Sequence, residues 1–98
     1  MAIDEAKLNE FMGNFVRDMG AVAHAATVTI GDQLGLYKAL AEEPMTAEQL
    51  AAKTSTDPRY VLEWLSAQAA AGYATYDAGA KRFSLSEEQA DAILELRL

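Results

Sequence analysis

The sequence contains no cysteine, so it can form neither a disulfide framework nor a thiolate metal site. Cations are also scarce, because 8 lysine and arginine residues stand against 15 aspartate and glutamate residues, for a formal net charge of −7. Nonspecific affinity for DNA comes almost entirely from cationic side chains, so this balance argues against nucleic acid as a partner. The lack of cysteine fits a reducing cytoplasm, where we expect the protein to reside.

Long apolar runs are missing as well. The longest segments without charge, among them 19–31, have 13 residues, whereas a transmembrane helix needs about 20 apolar residues. The N-terminus reads Met1-Ala-Ile-Asp4-Glu5, which is acidic where a secretory signal would be basic. We therefore expect a soluble, intracellular protein with no membrane association.

Groups that carry catalysis are few. His24 is the only histidine, and its neighbours in helical register include no carboxylate, serine or second histidine. The segment Gly31-Asp-Gln-Leu-Gly35 has two glycines but follows a helical pattern, which is the wrong context for a dinucleotide-binding turn. No acid/base pair, nucleophile elbow or metal-ligand spacing is visible. We expect no catalytic, cofactor-binding or metal-binding residue in the chain.

Apolar residues, by contrast, are abundant and make up 51% of the 98 residues. A single domain of this size buries only about 60–65% of its unfolded surface. Much of the apolar content is alanine, yet the chain still has more apolar surface than so small a core can hide. An oligomer or a second domain is the natural cover for the excess.

Residues 1–30 form a predicted N-terminal helical dimerisation segment. Between Asp4 and Met19 the apolar side chains recur at helical spacing. The sequence leaves open whether Gly20 kinks or ends this helix. From Ala21 to Ile30 the apolar residues lie on more than one face, and a helix that is apolar all round must be covered all round. We predict a homodimer with its interface at Phe11, Phe15, Met19, Val22 and Ala26.

The pattern of residues 31–90 predicts two helices joined by a turn and followed by a hairpin. A capping box at Thr46-Ala-Glu-Gln49 starts one helix, with Met45 and Leu50 placed as a hydrophobic staple. After the turn 54–57, Pro58 opens a second helix that Gly72 ends. The segments 73–76 and 82–85 are strand-like and are joined through Asp77-Ala-Gly79. This order is that of a winged helix-turn-helix.

The predicted fold is therefore mainly α with a small β-hairpin, in a single domain spanning residues 1–98. Before the first capping box, a break at 31–35 and a short helix at 36–42 are expected. After the hairpin, a second capping box at Ser86-Glu-Glu-Gln89 starts a last helix, whose end is 91–98. Its predicted apolar stripe consists of Ala90, Ile93, Leu94 and Leu96.

The second helix of the motif would be the recognition helix of a DNA-binding protein. Its N-terminal half has a single cation, Arg59, although such helices read base edges with Arg, Lys, Asn or Gln. Its predicted core stripe is Val61, Leu62, Leu65 and Ala69. Tyr60 and Trp64 are predicted on the other face as candidates for partner or ligand contact, and burial against the N-terminal helices or a partner is the favoured interpretation.

Four segments of this sequence carry a resemblance to a known family: LGLY (34–37), TAEQLA (46–51), DPRYVLEWL (57–65) and AAAGYATYD (69–77). Through them, residues 31–90 resemble the N-terminal winged-helix domain of class I S-adenosylmethionine-dependent methyltransferases, in the branch often labelled methyltransferase-like transcriptional regulators. The resemblance implies homodimerisation through the N-terminal helices and a lid over the substrate pocket of a Rossmann-like catalytic domain. It also implies that S-adenosylmethionine binds only in a full-length parent, on that second domain.

We therefore expect a non-catalytic homodimerisation and substrate-lid domain, without the catalytic domain's motifs; residues 91–98 do not look like the family's usual continuation. Two alternatives remain open. One is a winged-helix DNA-binding regulator. The other is a binder of hydrophobic small molecules that uses Tyr60, Trp64 and the dimer seam.

Overall fold

The structure is a computed structural model that describes residues 2–95, and these form five helices and one β-hairpin. The elements follow in the order α1 (Glu5–Gln33), α2 (Leu36–Leu40), α3 (Ala47–Thr54), α4 (Pro58–Ala70), β1 (Thr75–Asp77), β2 (Arg82–Ser84) and α5 (Glu87–Glu95). The predicted fold class, mainly α with a small hairpin, is confirmed. Leu96, predicted to belong to the last apolar stripe, lies outside the described residues.

Helix α1 is the longest element, with 29 residues. Asp4 caps its N-terminus, because the Asp4 carboxylate accepts hydrogen bonds from the backbone N–H groups of Ala6 and Lys7, at 3.0 and 3.2 Å. The helix continues through Gly20, so that glycine neither ends it nor separates two helices. The break predicted within 31–35 is present at Leu34 and Gly35, which separate α1 from α2, whereas Gly31 itself is still helical.

The helix-turn-helix is built by the predicted local signals. The Thr46 hydroxyl accepts from the backbone N–H of Gln49 at 3.2 Å, and the Gln49 side chain accepts from the backbone N–H of Thr46 at 3.0 Å. This reciprocal pair starts α3. The Asp57 carboxylate accepts from the backbone N–H of Arg59 at 2.8 Å and starts α4. At the far end of α4, Gly72 adopts the left-handed φ of +81° that the predicted cap requires.

The wing is an antiparallel hairpin in which Tyr76 lies opposite Phe83. Its turn is held by Asp77, whose carboxylate accepts from the backbone N–H of Gly79 at 3.0 Å. Met45 and Phe83 exchange two backbone hydrogen bonds, at 2.9 and 2.8 Å. Because Met45 lies just before α3, these bonds fix the hairpin to the helical body.

The core lies between α2, α3, α4 and the hairpin. Its fully buried members include Leu36, Leu40, Leu50 and Leu65. One prediction for α4 is wrong: Leu62 is 48% exposed, and the buried positions are Val61, Trp64, Leu65 and Gln68. These four follow the helical steps of three and four, and the large indole occupies the side of α4 on which α1 packs.

The last helix begins as predicted. The Gln89 side chain accepts from the backbone N–H of Ser86 at 2.8 Å, and the Ser86 hydroxyl accepts from the N–H of Gln89 at 3.0 Å. Within residues 2–95, no helix combines the length and the apolar character that crossing a bilayer requires.

Candidate functional site

The N-terminal two thirds of α1 project away from the rest of the domain. Every residue from 2 to 23 is exposed, and burial begins only at His24. A helix of this length spans about 44 Å, which accounts for the elongated shape, 58 × 32 × 25 Å. In proteins most helical stability comes from packing of an amphipathic face, and this part of α1 packs on no other element of the described chain.

One face of the projecting helix is apolar, and we call it the α1 stripe. Its members recur at steps of three and four along one side of the helix: Leu8, Phe11, Phe15, Met19, Val22, Ala26 and Ile30. The five residues predicted to form a dimer interface all belong to it. Phe11, Phe15, Met19 and Val22 are 63, 48, 51 and 66% exposed, and Ala26 is exposed too. The rings of Phe11 and Phe15 stack with centroids 6.1 Å apart.

The C-terminal third of α1 is held to the body by a chain of hydrogen bonds. The Trp64 indole N–H donates to the backbone oxygen of Thr27 at 2.8 Å. The Gln68 amide N–H donates to the Thr27 hydroxyl, also at 2.8 Å, and the Tyr37 hydroxyl donates to the Gln68 side-chain oxygen. Sequence reasoning missed Gln68, which is fully buried. Its hydrogen-bond partners lie far away in the chain, so no local sequence pattern predicts its burial.

Gly31 marks the closest approach of α1 to the core. A Cβ atom at Gly31 would lie 2.4 Å from Trp64 Cζ2 and 2.7 Å from Tyr37 Cε2. The rings of Tyr37 and Trp64 meet edge to face, with centroids 4.8 Å apart. Burial raises the pKa of Tyr37 from 10.0 to about 12, and the charge on Tyr73 adds to the shift. The tyrosine is therefore held in its neutral, hydrogen-bonding form.

His24 belongs to the same junction. Its Nδ1 lies 3.3 Å from the Thr27 hydroxyl, and its ring packs edge-on against Tyr73 with centroids 4.5 Å apart. Its Nε2 is buried and forms no hydrogen bond with any residue that the structure describes. No group of His, Asp or Glu side chains within residues 2–95 is arranged to hold a metal ion.

An apolar cleft of about 280 Å³ lies where α1 meets α4. Its lining includes Ile30 and Leu34 at the end of α1, Leu36 of α2, and Tyr60, Val61 and Trp64 of α4. Tyr60 is 69% exposed, whereas Trp64 is only 8% exposed. The two aromatic residues singled out from the sequence therefore do share a site, but Trp64 is already packed in the core and Tyr60 alone stands open to solvent. Sequence reasoning missed the cleft because it joins residues from separate elements.

Few charged residues lie on α4 and the hairpin, the elements with which a winged helix would contact DNA. Helix α4 exposes one cation, Arg59, and one anion, Glu63, and the hairpin exposes Lys81 and Arg82. An exposed ion pair joins Lys53 to Glu42 on α3 and the turn after α2. Within residues 2–95, no continuous row of basic side chains lies along α4.

Two capped helices joined by a tight turn, followed by a hairpin bonded to the body, define a winged helix-turn-helix domain. The chain belongs to the family described as Rv2258c-like winged HTH domains, whose sequence profile matches residues 22–95. That match covers the winged core and the packed part of α1. The first four residues of the α1 stripe, from Leu8 to Met19, precede it.

Three solved structures that contain this fold are of proteins described as methyltransferases. The calicheamicin biosynthesis methyltransferase CalO1, in its SAH-bound form, shares 26% identity at a TM-score of 0.69, over 91% of this chain and 25% of that one. The mitomycin 7-O-methyltransferase MmcR gives a TM-score of 0.79 at 20% identity, over 89% of this chain and 26% of that one. A candidate O-methyltransferase from Nostoc punctiforme PCC 73102 gives a TM-score of 0.71 at 19% identity, over 80% of this chain and 23% of that one.

The chain thus spans about a quarter of the length of each of these structures, and it corresponds to their N-terminal domain. A phosphoglucosamine mutase from Leuconostoc mesenteroides subsp. mesenteroides is 39% identical over 62 residues, which are 62% of this chain and 13% of that protein. So short a share of the mutase gives no ground for assigning its activity to this chain.

Proposed function

We propose that this chain is a homodimerisation domain with no catalytic activity of its own. The observation that supports the proposal is the exposed α1 stripe, on a helix that leaves its own domain. Large exposed apolar patches on a protein surface mark interaction sites. Two copies that pair over residues 8–30 would cover about 33 Å of helix in each chain.

The kind of side chain in the α1 stripe suits a stable pair. Standard interfaces bury about 800 Å² on each partner. Phe11, Phe15 and Met19 supply large side chains that are 63, 48 and 51% exposed, and apolar burial stabilises by roughly 25 cal/mol for each Å² removed from water. Rigid aromatic anchors of this kind dominate interface energies.

The second part of the proposal concerns a longer parent protein. In a polypeptide that continues into a Rossmann-like methyltransferase domain, this domain would lie over the substrate pocket as a lid, and S-adenosylmethionine would be bound by the catalytic domain. Support comes from the three methyltransferase structures, in which a domain of this fold makes up about a quarter of the chain.

Charge supports a protein partner over DNA. The net charge is −7, and α4 exposes one cation beside one anion. A DNA-binding protein neutralises phosphates with several Lys and Arg side chains and shows a steep salt dependence. We propose a protein interface as the use of this winged helix, and no role in binding nucleic acid.

The test compares two substitutions in α1 that add the same charge. Phe15→Asp places a carboxylate in the middle of the stripe, and we expect it to convert the dimer to a monomer because an unpaired charge is costly to bury. Asn14→Asp, the matched control, adds its charge to an exposed site outside the stripe. Light scattering after gel filtration measures the mass, and circular dichroism confirms retained helix. Equal masses for Phe15→Asp and wild type would contradict the proposal.

A further inference from the structure

We infer that the two copies pair with their α1 helices antiparallel, so that Phe11 of each copy enters the apolar cleft of its partner. The inference rests on the proposed homodimer and adds its geometry. Three observations carry it: the course of the α1 stripe, the distribution of charge along α1, and the size and exposure of the cleft.

The α1 stripe links the projecting end of the helix to the cleft. It begins at Leu8, far from the body, and ends at Ile30, which forms part of the cleft wall. In a symmetric dimer the same surface serves both copies, so that if one residue contacts another, the reverse contact also occurs. A two-fold axis between Met19 and Val22 sets Phe15 against Ala26 and Phe11 against Ile30. In this register Phe15 meets the small Ala26, and Phe11 meets Ile30 at the wall of the cleft.

Charge favours the antiparallel arrangement over the parallel one. The N-terminal end of α1 carries Asp4, Glu5 and Glu10 against a single nearby cation, Lys7, whereas residues 19–31 carry no charge. Parallel helices would bring the two acidic ends together. Antiparallel helices place each acidic end beside the uncharged half of the partner, and they also oppose the two helix dipoles. Electrostatic repulsion therefore selects the antiparallel pair.

The cleft is small and is lined mostly by apolar side chains. Its volume of about 280 Å³ lies below the roughly 300–1,000 Å³ of typical small-molecule pockets. Its rim consists of Ile30, Leu34 and Tyr60, which are 48, 50 and 69% exposed. A partner's Phe11 would cover all three and lie against the aromatic ring of Tyr60, a favourable pairing.

The polar residues of the lining do not oppose an apolar occupant. Asp57 is the one charged residue at the cleft, and its carboxylate already accepts the backbone N–H of Arg59 at 2.8 Å. Thr56 is half-buried, and its hydroxyl lies 2.8 Å from that of Thr54. Both groups keep these partners when the cleft is filled.

Disulfide trapping in this cysteine-free chain tests the geometry. Phe11→Cys and Ile30→Cys are purified separately, mixed and oxidised, since a disulfide forms when the two Cα atoms lie within about 7 Å. We expect a disulfide-linked dimer in the mixture and in neither variant alone. Phe15→Cys mixed with Ala26→Cys is a second pair in the same register and should give the same result.

The control pair is Phe11→Cys mixed with Val22→Cys, which the antiparallel register separates by about 12 Å along the helix. Cross-linking of this pair as readily as the in-register pairs would overturn the inference. So would cross-linking of Phe11→Cys with itself, the mark of a parallel pair. A wild-type dimer in which neither in-register pair cross-links also overturns it, while leaving the proposed dimer intact. A monomeric wild type would instead refute the proposed function.

Tyr60→Ala provides an independent check, because Tyr60 lies outside α1 and is mostly exposed. We expect this substitution to raise the dimer dissociation constant about tenfold, as loss of an aromatic contact in an interface does. The control is Glu63→Ala, on the next turn of α4 and also exposed. A dissociation constant unchanged by Tyr60→Ala would count against occupancy of the cleft by the partner.

Discussion

Trp64 in α4 donates its indole N–H to the backbone carbonyl oxygen of Thr27 in α1, at 2.8 Å. The bond joins the projecting helix to the second helix of the winged motif. A buried indole without a partner for its N–H would be destabilising, so this contact allows Trp64 to lie in the core. The junction therefore fixes the direction in which α1 leaves the domain, and with it the position of the α1 stripe.

The first prediction concerns the buried face of α4. Trp64→Ala should lower the free energy of unfolding by about 3–5 kcal/mol, as truncation of a buried aromatic side chain does. Leu62→Ala should cost about 1 kcal/mol or less, because Leu62 is 48% exposed. Urea unfolding followed by circular dichroism, at one protein concentration, measures both. A larger loss for Leu62→Ala would show that Leu62 belongs to the core after all.

The second prediction concerns Gly31. Gly31→Ala should destabilise the domain by about 1–3 kcal/mol, since the new Cβ would overlap the rings of Trp64 and Tyr37. Gly13→Ala is the matched control within the same helix, because nothing lies within 4 Å of a Cβ there. That substitution should stabilise the helix by about 0.5–1 kcal/mol through propensity alone. Thermal unfolding at a fixed protein concentration measures whether each substitution lowers or raises stability. Equal changes in stability for the two variants would contradict the close approach at Gly31.

The third prediction is a loss of stability in alkaline solution. Burial raises the pKa of Tyr37 to about 12, against about 10 in the unfolded chain. The folded state holds the proton more tightly, so this contribution is complete below pH 10 and is lost as the pH rises from 10 to 12. Two pKa units correspond to at most about 2.7 kcal/mol. Wild type should therefore lose more stability over this range than Tyr37→Phe, measured by urea unfolding. Parallel pH profiles would contradict the shift.

The fourth prediction is energetic coupling between Tyr37 and Gln68. Each single substitution, Tyr37→Phe or Gln68→Leu, leaves a buried polar group without its hydrogen bond, at a cost of about 1–3 kcal/mol. The double variant should cost less than the sum of the two by about 0.5–3 kcal/mol, the range found for residues in contact. A double-mutant cycle in urea measures this difference. Strict additivity would mean that the two side chains do not interact.

The elements that the sequence predicted correctly are those with local causes. The capping boxes at Thr46 and Ser86 need only residues three positions apart, and both form. The α1 stripe likewise follows from helical spacing alone. Gly20 was ambiguous because one glycine costs a helix only about 1 kcal/mol, which the flanking residues can outweigh.

Features that depend on distant partners could not be predicted. Gln68 is a polar residue in an apolar stripe, and its burial becomes reasonable only when Thr27 and Tyr37 are placed beside it. In the sequence Gly31 is typical of a helix end. In the structure it lies within the helix, and glycine is needed there because the Trp64 ring occupies the space that a Cβ atom would take. The cleft at Ile30 and Tyr60 is invisible in the sequence for the same reason, since its walls meet only after α1 has packed on α4.

Sedimentation equilibrium of the unmodified chain at low micromolar concentration tests the central proposal most directly. One chain has a mass of 10.6 kDa, and we expect a species of twice that mass because the α1 stripe of each copy would be covered by the other. A species of single-chain mass throughout the low micromolar range would contradict the dimer.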